Sequence, residues 1–133
     1  MGYGMAGNVR SKMSPSGTLF IHDVARSACE RFVEEFGSLG PIEIVNTPKD
    51  GLDRSDTLIT VVPRGVNVQE VYLQGPGAVI RSTQKPDRLI FECSTIDVKT
   101  TREVGDAIRE AGIGRYFDSP VSVGPPSSLL ASA

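Results

Sequence analysis

Histidine and cysteine are scarce in this sequence: His22 is the single histidine, and Cys29 and Cys93 are the two cysteines. One histidine excludes a histidine-based metal cluster and gives no support to a Ser–His nucleophilic pair, and no metal site is expected. The cysteines have neither a CxxC nor a zinc-ligand spacing. They read as reduced core thiols of an intracellular protein, cytoplasmic or mitochondrial. No apolar run approaches the ~20 residues that a membrane-spanning helix needs, and the first residues carry no apolar signal segment. The net charge of −2 is too small to argue for nucleic acid or an anionic membrane as partner. What is present is ordinary for one globular domain: 133 residues, 39% apolar and 23% charged.

Strand-like and helix-like segments alternate along the chain. TLFIHD (18–23) is apolar and β-rich, and ARSACERFVEEF follows with Ala25, Ala28, Cys29, Phe32, Val33 and Phe36 on one helical stripe that Gly37 ends. IEIV (42–45) is a short strand, then a connection with one or two helical turns. TLITVV (57–62) is an apolar run bounded by Asp56 and Pro63, the pattern of a strand covered on both faces. A short helix over 66–73, a strand over 88–94, a helix capped by Asp97 and stopped by Gly112, and a strand over 115–121 complete the series. Such alternation predicts right-handed βαβ units and an α/β fold with a doubly wound parallel sheet. Residues 1–124 form this domain, and the uncharged tail over 125–133, GPPSSLLASA from Gly124 on, reads as disordered or loosely packed.

The opening residues MGYGMAG place glycines at 2, 4 and 7, the G-x-G-x-x-G spacing of dinucleotide-binding turns, though no strand precedes them. Gly2 would permit the tight turn, Gly4 a close approach to pyrophosphate, and Gly7 close packing of helix on strand. Asp23 ends the first strand-like run, 21 residues after Gly2. An acid there hydrogen-bonds adenosine ribose hydroxyls and repels a 2′-phosphate, favouring NAD, with NADP as the second choice. Asp23 could instead cap a helix, and the nearby Arg26 could meet a 2′-phosphate.

Three segments together resemble the β-hydroxyacid dehydrogenases, the 3-hydroxyisobutyrate dehydrogenase-like branch of the 6-phosphogluconate dehydrogenase superfamily. GYGMAG resembles G-L-G-x-M-G, ECSTID (92–97) resembles D-x-S-T-x-x-P, and FDSPVSVG (117–124) resembles D-A-P-V-S-G-G. LITVVP with VQEVYLQGPG follows the intervening pattern. The resemblance implies a Rossmann-type fold and NAD(P)-dependent oxidation of a small 3-hydroxy acid. By position, Gly2, Tyr3, Gly4, Met5, Ala6 and Gly7 would hold the pyrophosphate and Asp23 the ribose. Val62, Pro63 and Thr95 would also contact cofactor, while Ser94, Ser122 and Gly124 would bind substrate. Without the family pattern, Ser94 and Thr95 read as helix-capping residues.

Departures from that pattern matter as much. The first, central strand is absent, which should leave facing rows of backbone groups unpaired. Val123 replaces a glycine, and the match stops at Gly124. No lysine matches the acid–base lysine of the family: Lys12, Lys49, Lys85 and Lys99 read as surface residues. The chain is therefore expected to be truncated at both ends and to bind cofactor without turnover, with no residue assigned a catalytic role. The alternatives are a non-catalytic binding or interaction module and a truncated product without function.

Overall fold

The computed structural model describes residues 2–94, 97–119 and 130–132. Eleven principal elements occur in these residues: α1 (Gly2–Lys12), β1 (Leu19–His22), α2 (Arg26–Phe36), β2 (Ile42–Ile44), α3 (Pro48–Asp53), β3 (Thr57–Thr60), α4 (Gly65–Leu73), β4 (Leu89–Glu92), α5 (Val98–Glu110), β5 (Arg115–Asp118) and β6 (Leu130–Ser132). Local chemistry sets several boundaries. Before α3, the Thr47 hydroxyl accepts the Asp50 N–H at 3.1 Å and Pro48 takes the first helical position. Before α5, the Asp97 carboxylate accepts the Thr100 N–H at 2.9 Å and its hydroxyl at 2.8 Å. These bonds hold the Asp97 carboxyl below the usual carboxylate range. Gly112, at φ 70°, turns the chain away after α5 in the left-handed region that glycine enters freely.

The strands form one six-stranded sheet in the order β2-β1-β6-β3-β4-β5. β1 with β2, β3 with β4, and β4 with β5 pair in parallel. The central position is filled by β6, which runs antiparallel to both neighbours. Ile21 pairs with Ala131 on one side, and Ala131 with Ile59 on the other. This corrects two expectations. The rows of backbone groups on β1 and β3 are paired, and Leu130–Ser132 belong to the sheet instead of to a loose tail. The physical reason is that two facing open edges leave donors and acceptors that cost ~1–3 kcal/mol each if buried without partners. A short uncharged segment within reach satisfies both edges at once. Residues 125–129 and 133 lie outside the described residues.

Helices cover both faces. On one face Leu58, Ile90 and Tyr116 meet Leu52 of α3, Val68 and Tyr72 of α4, and Val104 and Ile108 of α5. On the other, Leu19 and Ile21 meet Ala6 of α1 and Cys29 and Phe32 of α2. Beneath each core lies a buried arginine. Arg10, 1% exposed, donates to the carbonyls of Ser14, Gly17 and Pro41, which precede β1 and β2. Arg88, 2% exposed, donates to those of Ser55, Thr83 and Ile113, which lie ahead of β3, β4 and β5. Each guanidinium gathers loop carbonyls at the amino edge of the sheet and ties the loops that lead into the strands to one another. No helix among the described residues is long and apolar enough to cross a membrane.

Candidate functional site

Because β1, β3, β4 and β5 run the same way, the residues after their last positions share one edge: Asp23, Val62 with Pro63, Ser94, and Ser119. In open α/β sheets this carboxyl edge is where ligands bind. Asp23 lies there, half-buried, directly after β1, and its carboxylate accepts the Ala25 N–H at 2.8 Å. The single histidine braces the same end, with His22 Nδ1 3.1 Å from the Val45 carbonyl after β2. Arg26, exposed on the first turn of α2, donates to the Asn46 side-chain oxygen at 3.1 Å. That contact gives the exposed Arg26 a local partner on the turn after β2.

The glycine segment differs from expectation. Gly2, Gly4 and Gly7 lie within α1, not in a turn between strand and helix. The turn geometry depends on a preceding strand to anchor it. Without one, the segment continues the helix that NVRSK propagates. Its residues divide by role. Tyr3 packs edge-on against Phe32 at 5.3 Å, Ala6 is fully buried, and an added Cβ at Gly7 would come within 2.6 Å of the Phe36 ring. Gly7 thus permits close approach of two helices, α1 and α2, where close approach of helix to strand was expected. Gly4 is different: a side-chain carbon added there would meet nothing within 4 Å. Met5 is half-buried, beside an apolar hollow lined by Val9 and Met13.

On the β3–β4 side, Val62 is buried and Pro63 exposed. Ser94 is 2% exposed, and its hydroxyl accepts the Val62 N–H at 2.7 Å. Asp97, not Ser94, caps α5. Thr95, Ser122 and Gly124 lie outside the described residues. Sequence reasoning passed over Glu92, the last residue of β4, although the structure places it at the centre of this half-site. It is fully buried, with Oε1 accepting the Ser94 N–H at 2.7 Å and Oε2 accepting the Thr60 hydroxyl. The Thr60 hydroxyl is in turn 2.6 Å from that of Tyr72. Burial pushes the Glu92 carboxyl above its ordinary value, against hydrogen bonds from Ser94, Thr60 and Tyr72 that favour its ionised form. Burial, with the Glu92 charge adding to it, raises Tyr72 well above a normal phenol. The neighbouring Cys93 thiol is pushed up to about 11, again mainly by burial, so it is held as the unreactive thiol. The signal for Glu92 was a charged residue in phase with Ile90 on the core face of an apolar strand.

The chain resembles known proteins over nearly all its length. A family model described as the NAD binding domain of 6-phosphogluconate dehydrogenase matches residues 1–131. The mitochondrial 3-hydroxyisobutyrate dehydrogenases of Homo sapiens and Bos taurus are 31% and 30% identical over 126 residues, 93% of this chain. An NAD-dependent L-serine dehydrogenase of Pseudomonas aeruginosa is 29% identical over 124 residues. The chain spans only 35% of the length of the two mitochondrial relatives and 38% of the bacterial one. Among solved structures, a 3-hydroxyisobutyrate dehydrogenase of Mycobacterium tuberculosis with L-serine superposes at TM-score 0.65 and 24% identity, over 92% of this chain and 37% of that one. One from Salmonella typhimurium superposes at 0.67 and 21%, over 92% and 40%, and at these identities the likeness speaks for the Rossmann-type fold. The chain therefore belongs to the 6-phosphogluconate dehydrogenase NAD-binding domain family, and its counterpart in the curated relatives is a nicotinamide dinucleotide-binding domain of hydroxyacid dehydrogenases.

Proposed function

We propose that this chain binds NAD, in preference to NADP, across the carboxyl edge of β1, β3 and β4. The observation that carries this reading is the position of Asp23, set directly after β1 on that edge and oriented by the Ala25 amide. A carboxylate there accepts from both adenosine ribose hydroxyls and repels a 2′-phosphate. The first turn of α1 fits the pyrophosphate in part. Its amides have no acceptor within the helix, no acid lies in that turn, and Gly4 leaves its side open. Tyr3, Ala6 and Gly7 support that turn from behind by packing on α2, and Met5 adds apolar surface.

Val62, Pro63 and Thr95 would border the nicotinamide, and Ser94, Ser122 and Gly124 a small 3-hydroxy acid, with the bound cofactor supplying hydride exchange. None of Lys12, Lys49, Lys85 and Lys99 matches the acid–base lysine of the resembled family, and Lys49 and Lys85 pair with Asp53 and Asp56; this chain is expected to bind without turnover. Titration with NADH and NADPH, read by nicotinamide fluorescence, tests the reading. Asp23→Asn should erode the NADH preference about tenfold, equivalent to ~1.4 kcal/mol. An unchanged ratio would leave Asp23 as a turn residue only. At 100 times its dissociation constant NAD should stabilise the fold by about 2.7 kcal/mol, and identical melting with and without both dinucleotides would refute cofactor binding.

A further inference from the structure

We infer that Glu92 is a positioning residue that locks the turn after β3 to the turn after β4, holding Val62 and Ser94 in place at the edge where the dinucleotide is proposed to bind. The inference rests on that reading for its purpose, and on the hydrogen bonds alone for its mechanism.

A continuous line of polar groups runs through the core of this half of the sheet. The Thr60 hydroxyl gives its proton to Glu92 Oε2, and the Tyr72 hydroxyl, 2.6 Å from that of Thr60, is a further donor facing the same carboxylate. Glu92 Oε1 accepts the Ser94 amide at 2.7 Å, and the Ser94 hydroxyl accepts the Val62 amide at 2.7 Å. A backbone bond from the Cys93 N–H to the Thr60 carbonyl at 2.8 Å runs beside it. The line begins on α4, crosses β3 and β4, and returns to the turn after β3. The two turns that border the proposed nicotinamide end therefore share one anchor, and that anchor is a carboxylate.

A carboxylate of this length accepts from both sides at once. Glutamine has one oxygen for the two sides: its NH2 faces either the Ser94 N–H, a contact between two donors, or the Thr60 hydroxyl, which must turn to accept it and gives up its own bond to the side chain. Aspartate, the residue of the resembled motif at this position, is one methylene shorter and cannot hold both Ser94 and Thr60 from the end of β4. Burying a carboxylate is costly unless every lone pair is used. Its three partners here are what make the position tolerable.

The test uses the whole chain with Glu92→Gln and Glu92→Asp, two readouts, and NADH as probe. Amide hydrogen exchange at Val62 should speed up about three- to tenfold in Glu92→Gln, the loss of one hydrogen bond, while Ile21 in β1 keeps its protection. Glu92→Asp should fall between. NADH affinity should weaken by a similar factor in the same order. If Val62 exchange is unchanged in Glu92→Gln, or if Val62 and Ile21 accelerate together, the residue is an ordinary core member and the inference fails. Absence of NADH binding by the unsubstituted chain would refute the functional reading alone, and the exchange data would still decide the positioning role.

Discussion

The two halves of the sheet are built on the same plan and differ in what they do with it. Each has a parallel core on one side and a buried arginine under its amino edge, Arg10 for β1 and β2 and Arg88 for β3, β4 and β5. The β1–β2 half is held by few residues and much aromatic area, with Tyr3, Phe32 and Phe36 in mutual contact at 4.8–6.0 Å. The β3–β5 half has the larger aliphatic core and, uniquely of the two among the described residues, a buried carboxylate network at its carboxyl edge. The lesson is a division of labour. Close helix packing shapes the half that carries Asp23, while a polar brace shapes the half that carries Ser94.

Removing the seam between the halves should have the largest effect. A chain ending at residue 129 lacks β6, which pairs with both β1 and β3. Several ladder groups at ~1–3 kcal/mol each then lie unpaired against a total stability of ~5–15 kcal/mol. Cooperative thermal unfolding by circular dichroism should disappear, and retention of a sharp transition would show that the halves stand independently. Ile90→Ala, in the larger core, should cost ~2–5 kcal/mol by urea denaturation. Arg88→Met should cost more than Arg10→Met, at about 2–5 kcal/mol. Two of Arg88's three loop residues, Ser55 and Ile113, are buried, whereas Ser14 and Pro41 are exposed and water can replace Arg10 there. Equal losses would erase this distinction. Gly7→Ala should cost ~1–3 kcal/mol through the Phe36 ring, and a neutral result would mean that the aromatic cluster yields easily.

The smallest effect separates the halves by pH. The Glu92 carboxyl is raised in the folded chain, so the native state holds that proton more tightly than the unfolded one. Its contribution is full below the unfolded value of ~4.3 and declines as pH rises toward the folded value. Stability of the unsubstituted chain should fall over that interval, and Glu92→Gln should flatten the slope. A slope that survives the substitution would assign it to another group.

Strand and helix order was readable because core positions repeat at regular spacing: Phe32 and Cys29 along α2, Val104 and Ile108 along α5. Asp97 and Gly112 were readable as boundaries because their chemistry is local. Asp23 was legible as the end of an apolar run. The glycine segment misled because its turn is a property of two elements, of which the sequence shows one. β6 was hidden because three small or apolar residues carry no period, and their pairing is decided by distant edges. Arg10 and Arg88 give no signal in the sequence, since nothing in their neighbours announces the carbonyls they collect. Glu92 was hidden because an acid at the end of a strand ordinarily faces water.

Phe20 pairs with Ser132, almost the whole described chain apart. The middle of this sheet thus closes through the most sequence-distant contact it has, and the entropy of bringing such ends together precedes any return from pairing them. During synthesis β1 and β3 must wait with bare edges until residues 130–132 emerge. Assembly speed, and exposure to mispairing with other molecules meanwhile, are consequently governed by three residues about a hundred positions downstream of β1.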